Sequence, residues 1–197
     1  MPRSIDHESR RTQITDAARR VIARDGLESA TFQATAHEAG ISVRLIQYYF
    51  GSKSEFLAAT RRAVAMDAAS RFQDVLAVLG DDASARERIN AIITDLLPSD
   101  DRRRSDAVVL AAFHAASLTE PAESDDTPPG PSQALVGLLA AQLPKDLGPS
   151  KGTRDPRLDA ELILAAAAGL VQGLIAGHYD LRGATAVIDR LLDALDV

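Results

Sequence analysis

Residues 31–53 read TFQATAHEAGISVRLIQYYFGSK, and this stretch decides the fold of the N-terminal part of the chain. It predicts two short helices on either side of Gly40, because glycine readily takes the left-handed backbone angles of a tight turn. Thr31 and Ser42 stand just before the two helices and are typical helix N-caps. The spacing predicts a helix-turn-helix, in which a small turn residue lets the helices cross at a steep angle.

The second of these helices separates an apolar underside from a polar outer face. Arginine can donate paired hydrogen bonds to guanine, and glutamine can pair with adenine, so Arg44 and Gln47 suit the major groove of DNA. Tyrosine, lysine and threonine suit phosphate contacts. The predicted underside is Phe32, Ala36, Ala39, Ile41, Leu45, Ile46 and Phe50. The candidate DNA-binding residues are Thr31, Ser42, Val43, Arg44, Gln47, Tyr48, Tyr49 and Lys53. The alternative is an ordinary helical hairpin with Tyr48 and Tyr49 buried.

The charge distribution agrees with this interpretation, although the net charge is −6. Residues 1–62 hold ten Lys and Arg against seven Asp and Glu, whereas residues 63–197 hold twelve against twenty-one. Phosphate should therefore attract the first segment and repel the second. The run Arg102–Arg104, next to acidic residues, predicts a solvated loop with local ion pairs.

The remaining chain predicts an all-α protein of about nine helices, because apolar residues recur at three- and four-residue spacing without alternation. The segments 119–132 and 144–155 are rich in proline, glycine or charge and predict loops. The chain has no cysteine and four histidines, none paired at metal-ligand spacing, so we expect no metal and no cofactor. The longest apolar run, 162–177, is shorter than the roughly twenty residues of a membrane helix. We therefore expect a cytoplasmic protein without a membrane segment.

Three motifs resemble the TetR family of bacterial transcription regulators. They are ARRVIARDG, which ends at Gly26, the spacing T-x8-G-I-S from Thr31, and YYFGSKSEFL, which starts at Tyr48. The resemblance covers residues 10–60. It implies an all-helical homodimer with an N-terminal DNA-binding domain and a larger C-terminal domain that binds a small ligand and forms the dimer. We place the domains at 1–54 and 55–197.

The chain departs from the family pattern at three positions. Thr35 replaces a usual aliphatic residue, which could loosen the packing of the second helix. Ala34 stands where an acid is common. Gln47 stands where tyrosine is frequent, so we expect an operator preference unlike that of relatives that carry tyrosine.

The family resemblance also implies a ligand cavity among the middle helices. The larger side chains available for it are Met66, Phe72, Phe113, His114 and Tyr179. Core packing is the more common role of such Met and Phe residues. For His114, in an apolar setting, the favoured interpretation is a hydrogen-bonded core histidine.

Gly169, Gly173 and Gly177 lie four residues apart in a helix predicted from Pro156 to about His178. Each helical glycine costs roughly 1 kcal/mol relative to alanine, which close approach of another backbone would offset. We expect this helix and the last one, after Gly183, to form a homodimeric four-helix bundle. The alternative is close packing within one subunit.

These observations predict a ligand-responsive DNA-binding transcriptional regulator, a repressor released from its operator by a small molecule. The first alternative is a DNA-binding activator or architectural protein without a ligand. The second is a small helical enzyme, but the sequence lacks a nucleophile elbow, a phosphate loop and metal-ligand spacing. We therefore expect no enzymatic activity.

Overall fold

The computed structural model describes residues 3–118, 131–144 and 155–197. These residues form nine α-helices and one 3₁₀ turn, Leu27–Ser29, and contain no strand. The prediction of an all-α fold is confirmed. The helices are α1 Arg3–Asp25, α2 Phe32–Ala39, α3 Val43–Phe50, α4 Lys53–Leu79, α5 Ala85–Leu96, α6 Asp101–Ser117, α7 Pro131–Ala140, α8 Pro156–Ile175 and α9 Leu181–Ala194.

Local signals in the sequence set most helix ends. Ser84 and Glu87 form a reciprocal capping box at the start of α5. Asp155 caps α8 by accepting hydrogen bonds from the backbone nitrogens of Arg157 and Leu158, with Pro156 as the first helical residue. The sequence therefore predicted these helix starts correctly.

Three local predictions were wrong. The run Arg102–Arg104 lies in the first turn of α6, not in a loop. Helix α8 ends at Ile175, and Gly177 follows it with a φ of 76°, so this glycine ends the helix and is not inside it. Gly183 lies within α9, whose N-cap Asp180 accepts a hydrogen bond from its backbone nitrogen. The predicted loop at 119–132 lies outside the described residues except at Pro131 and Ser132, which form the start of α7.

The predicted segment 144–155 also lies outside the described residues, apart from its two ends.

The chain divides into two compact units, and α4 and α6 each contribute to both. The N-terminal unit holds the residues up to Asp67 and the part of α6 from Ser105 onward. The C-terminal unit holds Ala68–Arg104 and helices α7 to α9. The division at residues 54 and 55 stays a prediction.

The N-terminal unit has a core rich in aromatic rings. Phe56 of α4 is fully buried and meets Phe32 and Phe50 edge-on, with ring centroids 5.6 and 5.5 Å apart. A second cluster joins α1, α4 and α6 through Val21, Ile22, Ala30, Val64 and Val109. These two clusters fix the helix-turn-helix against α1 and α4.

The C-terminal unit has an almost entirely aliphatic core, with Phe72 as the aromatic member of its buried cluster. Its other large members include Ile89, Ile92, Ile93, Leu139, Ile163, Ile188 and Leu192. Among the described residues, α8 is long and apolar enough to cross a membrane by length and composition, and 28% of its apolar window is buried. Core helices of soluble proteins can have the same length and apolar composition, so this observation assigns no membrane location.

Candidate nucleic-acid interface

Helices α2 and α3 both begin at the caps that the sequence predicted. The Ser42 hydroxyl accepts a hydrogen bond from the backbone nitrogen of Leu45 at 3.3 Å. In the preceding turn Gly40 has φ 67° and ψ 33°, the left-handed conformation that glycine adopts without strain. The Thr31 hydroxyl caps α2 by accepting from Ala34 at 3.1 Å. The three predictions for this turn and its caps are confirmed.

The underside of α3 is buried. Ile46 has no exposed surface, and Phe50 is 4% exposed. Ala36 of α2 belongs to the same buried cluster, and Phe32 and Ile41 pack against it while partly exposed. Five of the seven predicted underside residues therefore lie in or against this cluster, whereas Ala39 and Leu45 are half-buried outside it.

The outer face of α3 is accessible. Ser42, Arg44 and Gln47 are exposed, and Tyr48 is 75% exposed. Lys53, at the start of α4, is also exposed. The hairpin alternative with both tyrosines buried does not fit Tyr48.

Three of the candidate DNA-binding residues, Thr31, Val43 and Tyr49, are half-buried. The Thr31 hydroxyl serves as the cap of α2, and Val43 and Tyr49 pack against the aromatic core. Part of each side chain remains accessible, so each keeps a surface from which it could touch DNA.

Helix α1 holds the C-terminal ends of both helices of the motif. The Arg11 guanidinium donates to the carbonyl of Tyr49 at 2.8 Å and lies over the Phe50 ring, 4.5 Å from its centroid. The amide nitrogen of Gln13 donates to the carbonyl of Ala39 at 3.1 Å. Helix C-terminal carbonyls lack partners inside the helix, so these contacts stabilise both ends. Sequence spacing gave no signal for them, because the partners are 26 and 38 residues apart.

One polar atom in the motif has no hydrogen-bond partner. The Thr35 side chain is fully buried, and its hydroxyl oxygen makes no hydrogen bond. An unsatisfied buried hydroxyl costs about 1–3 kcal/mol. The unpaired hydroxyl is a cost to the stability of α2, whereas the looser packing expected from Thr35 stays a prediction.

An ion-pair cluster flanks α2 on the side of α1. Glu38 accepts from Arg20 at 2.7 Å and from Arg24 at 3.1 Å. The hydrogen bonds from these two guanidinium groups lower the pKa of Glu38 below its ordinary value. The carboxylate therefore stays ionised at neutral pH and offsets part of the positive charge of the two arginines.

Comparison with known proteins agrees with this geometry at both ends of the chain. Residues 14–60 match the family model of bacterial regulatory proteins of the tetR family. Residues 85–197 match the model of the C-terminal region of BetI-type transcriptional repressors. The chain belongs to the TetR family.

Two curated relatives of the TetR family show how far this similarity extends. The HTH-type transcriptional regulator PksA of Bacillus subtilis (strain 168) is 30% identical over 170 residues, covering 86% of this chain and 80% of PksA. The HTH-type transcriptional regulator BetI of Agrobacterium fabrum (strain C58 / ATCC 33970) is 31% identical over 178 residues, covering 90% of this chain and 81% of BetI. Among solved structures, a transcriptional regulator from Saccharomonospora viridis in complex with choline matches with a TM-score of 0.72 at 21% identity, over 94% of this chain and 96% of that one. This TetR-family chain is a DNA-binding transcriptional regulator with a C-terminal region of the repressor type.

The residues predicted to line the effector cavity of this TetR-family protein do not share one core. Phe72 is buried in the aliphatic core of the C-terminal unit, whereas Phe113 packs on the cluster of α1, α4 and α6. Met66 is 70% exposed, and Tyr179 is half exposed. His114 is exposed, so the expectation of a core histidine was wrong. A ligand role for these five residues stays a prediction.

The three glycines predicted at the TetR-family dimer interface have three different settings. Gly173 is buried, and a Cβ atom there would lie 2.3 Å from the Tyr179 ring, so packing within the chain explains this glycine. Gly169 is exposed, and a Cβ there would meet no atom within 4 Å. Gly177 ends α8 with its positive φ. Gly169 alone of the three is left without an explanation inside the chain.

Within the described residues, no group of three His, Cys, Asp or Glu side chains could hold a metal ion.

Proposed function

We propose that the outer face of α3 reads operator DNA. Ser42, Val43, Arg44 and Gln47 would meet base edges, because they lie on the accessible N-terminal part of the helix that a helix-turn-helix inserts into the major groove. The observation that carries the proposal is the exposure of Arg44 and Gln47 above a fully buried Ile46. Tyr48, Tyr49, Lys53 and the Thr31 hydroxyl would contact phosphates and so position the helix.

The chain would act as a homodimer in the cytoplasm, where operator DNA lies. Leu158, Leu162, Ala165 and Gly169 follow one another at four- and three-residue spacing on α8, and all four are exposed in the single chain. Such an apolar stripe on an accessible helix is the usual mark of a protein interface. Two copies would place their recognition helices about one DNA turn, roughly 34 Å, apart.

A small molecule would release the repressor from its operator. The BetI-type repressor region and the choline-bound structural neighbour support a ligand role for the C-terminal unit. An effector that binds more tightly to a state with the recognition helices wrongly spaced would weaken operator binding. The loss is limited by the ratio of the effector's affinities for the two states. Coupling of this kind is typically 1–3 kcal/mol, or about 5–150-fold. A family of transcriptional regulators gives no support to the enzyme alternative.

The DNA proposal can be tested by selecting preferred duplexes from a random pool with the purified chain and then comparing variants. Gln47→Ala should relax the preference at one or two base pairs, because one base-reading side chain is lost. Lys53→Ala should weaken binding to all sequences alike and lower the slope of log affinity against log salt by about one. Selection of no preferred duplex, or wild-type behaviour of both variants, would refute the assigned contacts.

The dimer proposal is tested better at Gly169 than at Gly173. Gly173→Leu would clash with the Tyr179 ring of its own chain, so a change in oligomeric state could not be assigned to the interface. Gly169→Leu has open space within the chain and should leave folding intact while disrupting the dimer. Light scattering would measure the mass, and an unchanged dimer in this variant would count against the proposed surface.

A further inference from the structure

Three aromatic rings in a row connect the start of α1 to the C-terminal end of α3, the proposed recognition helix. The His7 and Tyr49 rings have centroids 4.5 Å apart with a 52° tilt, and Tyr49 meets Tyr48 edge-on at 5.3 Å. His7 and Tyr48 are both exposed, and Tyr49 is half-buried. The rings of His7 and Tyr48 therefore contribute little to the buried core.

Tyr49 is held from α1 at two points. Arg11 donates to its backbone carbonyl, which fixes the end of α3, and the His7 ring packs against its side chain. Tyr49 is half-buried against the aromatic core, and without a neighbour on its accessible side the ring would keep rotamer freedom that binding would have to remove. The contact with His7 restricts the ring before DNA arrives.

We propose that His7 is a positioning residue for DNA binding. It orients the Tyr49 ring, and through it Tyr48, so that the tyrosine end of α3 meets the phosphate backbone with less loss of side-chain freedom. This inference rests on the proposed DNA contacts of α3, and it adds α1 to the elements that determine operator affinity.

His7→Ala should weaken operator binding by about 2- to 13-fold, the range that corresponds to the cost of ordering one side chain on binding. His7→Phe keeps a ring against Tyr49 and should restore most of the affinity. Ser9→Ala is the matched control, since Ser9 is also exposed on α1 and has no ring contact. Because His7 is exposed, thermal unfolding should change little in all three variants.

A second comparison separates positioning from direct contact. In a Tyr49→Ala background, His7→Ala should have less than a twofold effect, because the ring that it positions is gone. An equal loss in both backgrounds would overturn the proposal, as would wild-type affinity in His7→Ala or no rescue by His7→Phe. Arg44→Ala provides the check on the proposed function: if it loses operator binding while His7→Ala does not, this inference alone fails.

Discussion

Each of the two units encloses one charged side chain, and the two charges have opposite signs. In the N-terminal unit, Arg19 of α1 is 11% exposed and lies 2.6 Å from Asp67 and 3.5 Å from Asp106. In the C-terminal unit the enclosed residue is an acid, Asp95 of α5, which accepts hydrogen bonds from Arg71 and Arg103. Each triad takes one member from α4 and one from α6.

The partners of the two enclosed charges differ in their access to water. Asp106 is nearly as buried as a core residue, with 5% of its side chain exposed. Arg71 and Arg103 are 22% and 31% exposed, and arginine can extend its charged end toward solvent. Asp67 is 42% exposed and can be rehydrated, but Asp106 cannot, so removing the central residue should be worse in the N-terminal unit.

The largest expected effect is that of Arg19→Ala. Breaking a buried ion pair from one side typically costs 3–5 kcal/mol, because the remaining charge stays desolvated. We expect a loss in this range in the free energy of unfolding, measured by urea titration at neutral pH. Arg20→Ala, at the neighbouring and largely exposed arginine, should cost less than about 1 kcal/mol. Equal losses would mean that burial does not determine the effect.

The next largest effect is that of Asp95→Ala, which we expect at about 3 kcal/mol, the lower end of the same range. The two arginines lose the acceptor that they share, but both can reach water, and Arg103 keeps its contact with Asp100. The control is Asp193→Ala, which removes a mostly exposed partner of Arg86 and should cost at most about 1 kcal/mol. If Asp95→Ala were more damaging than Arg19→Ala in the same urea titrations, the proposed difference between the units would be wrong.

A smaller effect of opposite sign is expected at Thr35. Thr35→Val keeps the shape and removes a hydroxyl that has no hydrogen-bond partner, so it should stabilise the protein by about 1 kcal/mol. Thr60 is equally buried, but its hydroxyl donates to the carbonyl of Phe56 at 3.0 Å. Thr60→Val should therefore cost about 1 kcal/mol, and melting temperatures that moved in the same direction would contradict this contrast.

The smallest effect concerns two glutamates with lowered pKa values, one in each unit. Glu38 is held by two arginines, and Glu87 by the hydroxyl and backbone nitrogen of Ser84. A lowered pKa contributes stability that is fully present above the ordinary value of 4.5 and is lost as the pH falls through the lowered pKa. Glu38→Gln and Glu87→Gln should each slightly reduce the loss in the free energy of unfolding that occurs as the pH falls below this ordinary value.

Salt should distinguish the two glutamates, because ions screen the arginine pairs of Glu38 more than the hydrogen bonds of Glu87. Unfolding measured at neutral pH in low and high salt would show this difference. A salt-independent effect of Glu38→Gln would indicate that its arginines do not stabilise it through charge.

Sequence predicted the helix-turn-helix well because its signals are local. Thr31, Gly40 and Ser42 act within four residues of themselves, so their types and spacing are sufficient. Arg11 and Arg19 act on partners dozens of residues away, and nothing near them in the sequence shows this. The run Arg102–Arg104 resembled a solvated loop, because Asp95, which Arg103 contacts, lies in a different helix.

The predicted ligand site was harder to place for a related reason. The residues proposed for it are far apart in the sequence, and His114, which belongs to the N-terminal unit, has apolar neighbours in sequence but lies on the surface. The glycine stripe suggested one shared role, whereas the chain uses Gly173 to receive a ring and Gly177 to end a helix. Regular spacing in the sequence did not distinguish these uses.

The contact of Gly173 with Tyr179 has a consequence for how this sequence can change over time. A larger residue at position 173 would be tolerated only after Tyr179 had been replaced by a smaller residue, because both side chains would occupy the same space. Homologues should therefore carry either glycine with an aromatic residue or a larger residue with a small one at these two positions. Such covariation would arise from the shape of a single subunit and should not be mistaken for a signal of assembly.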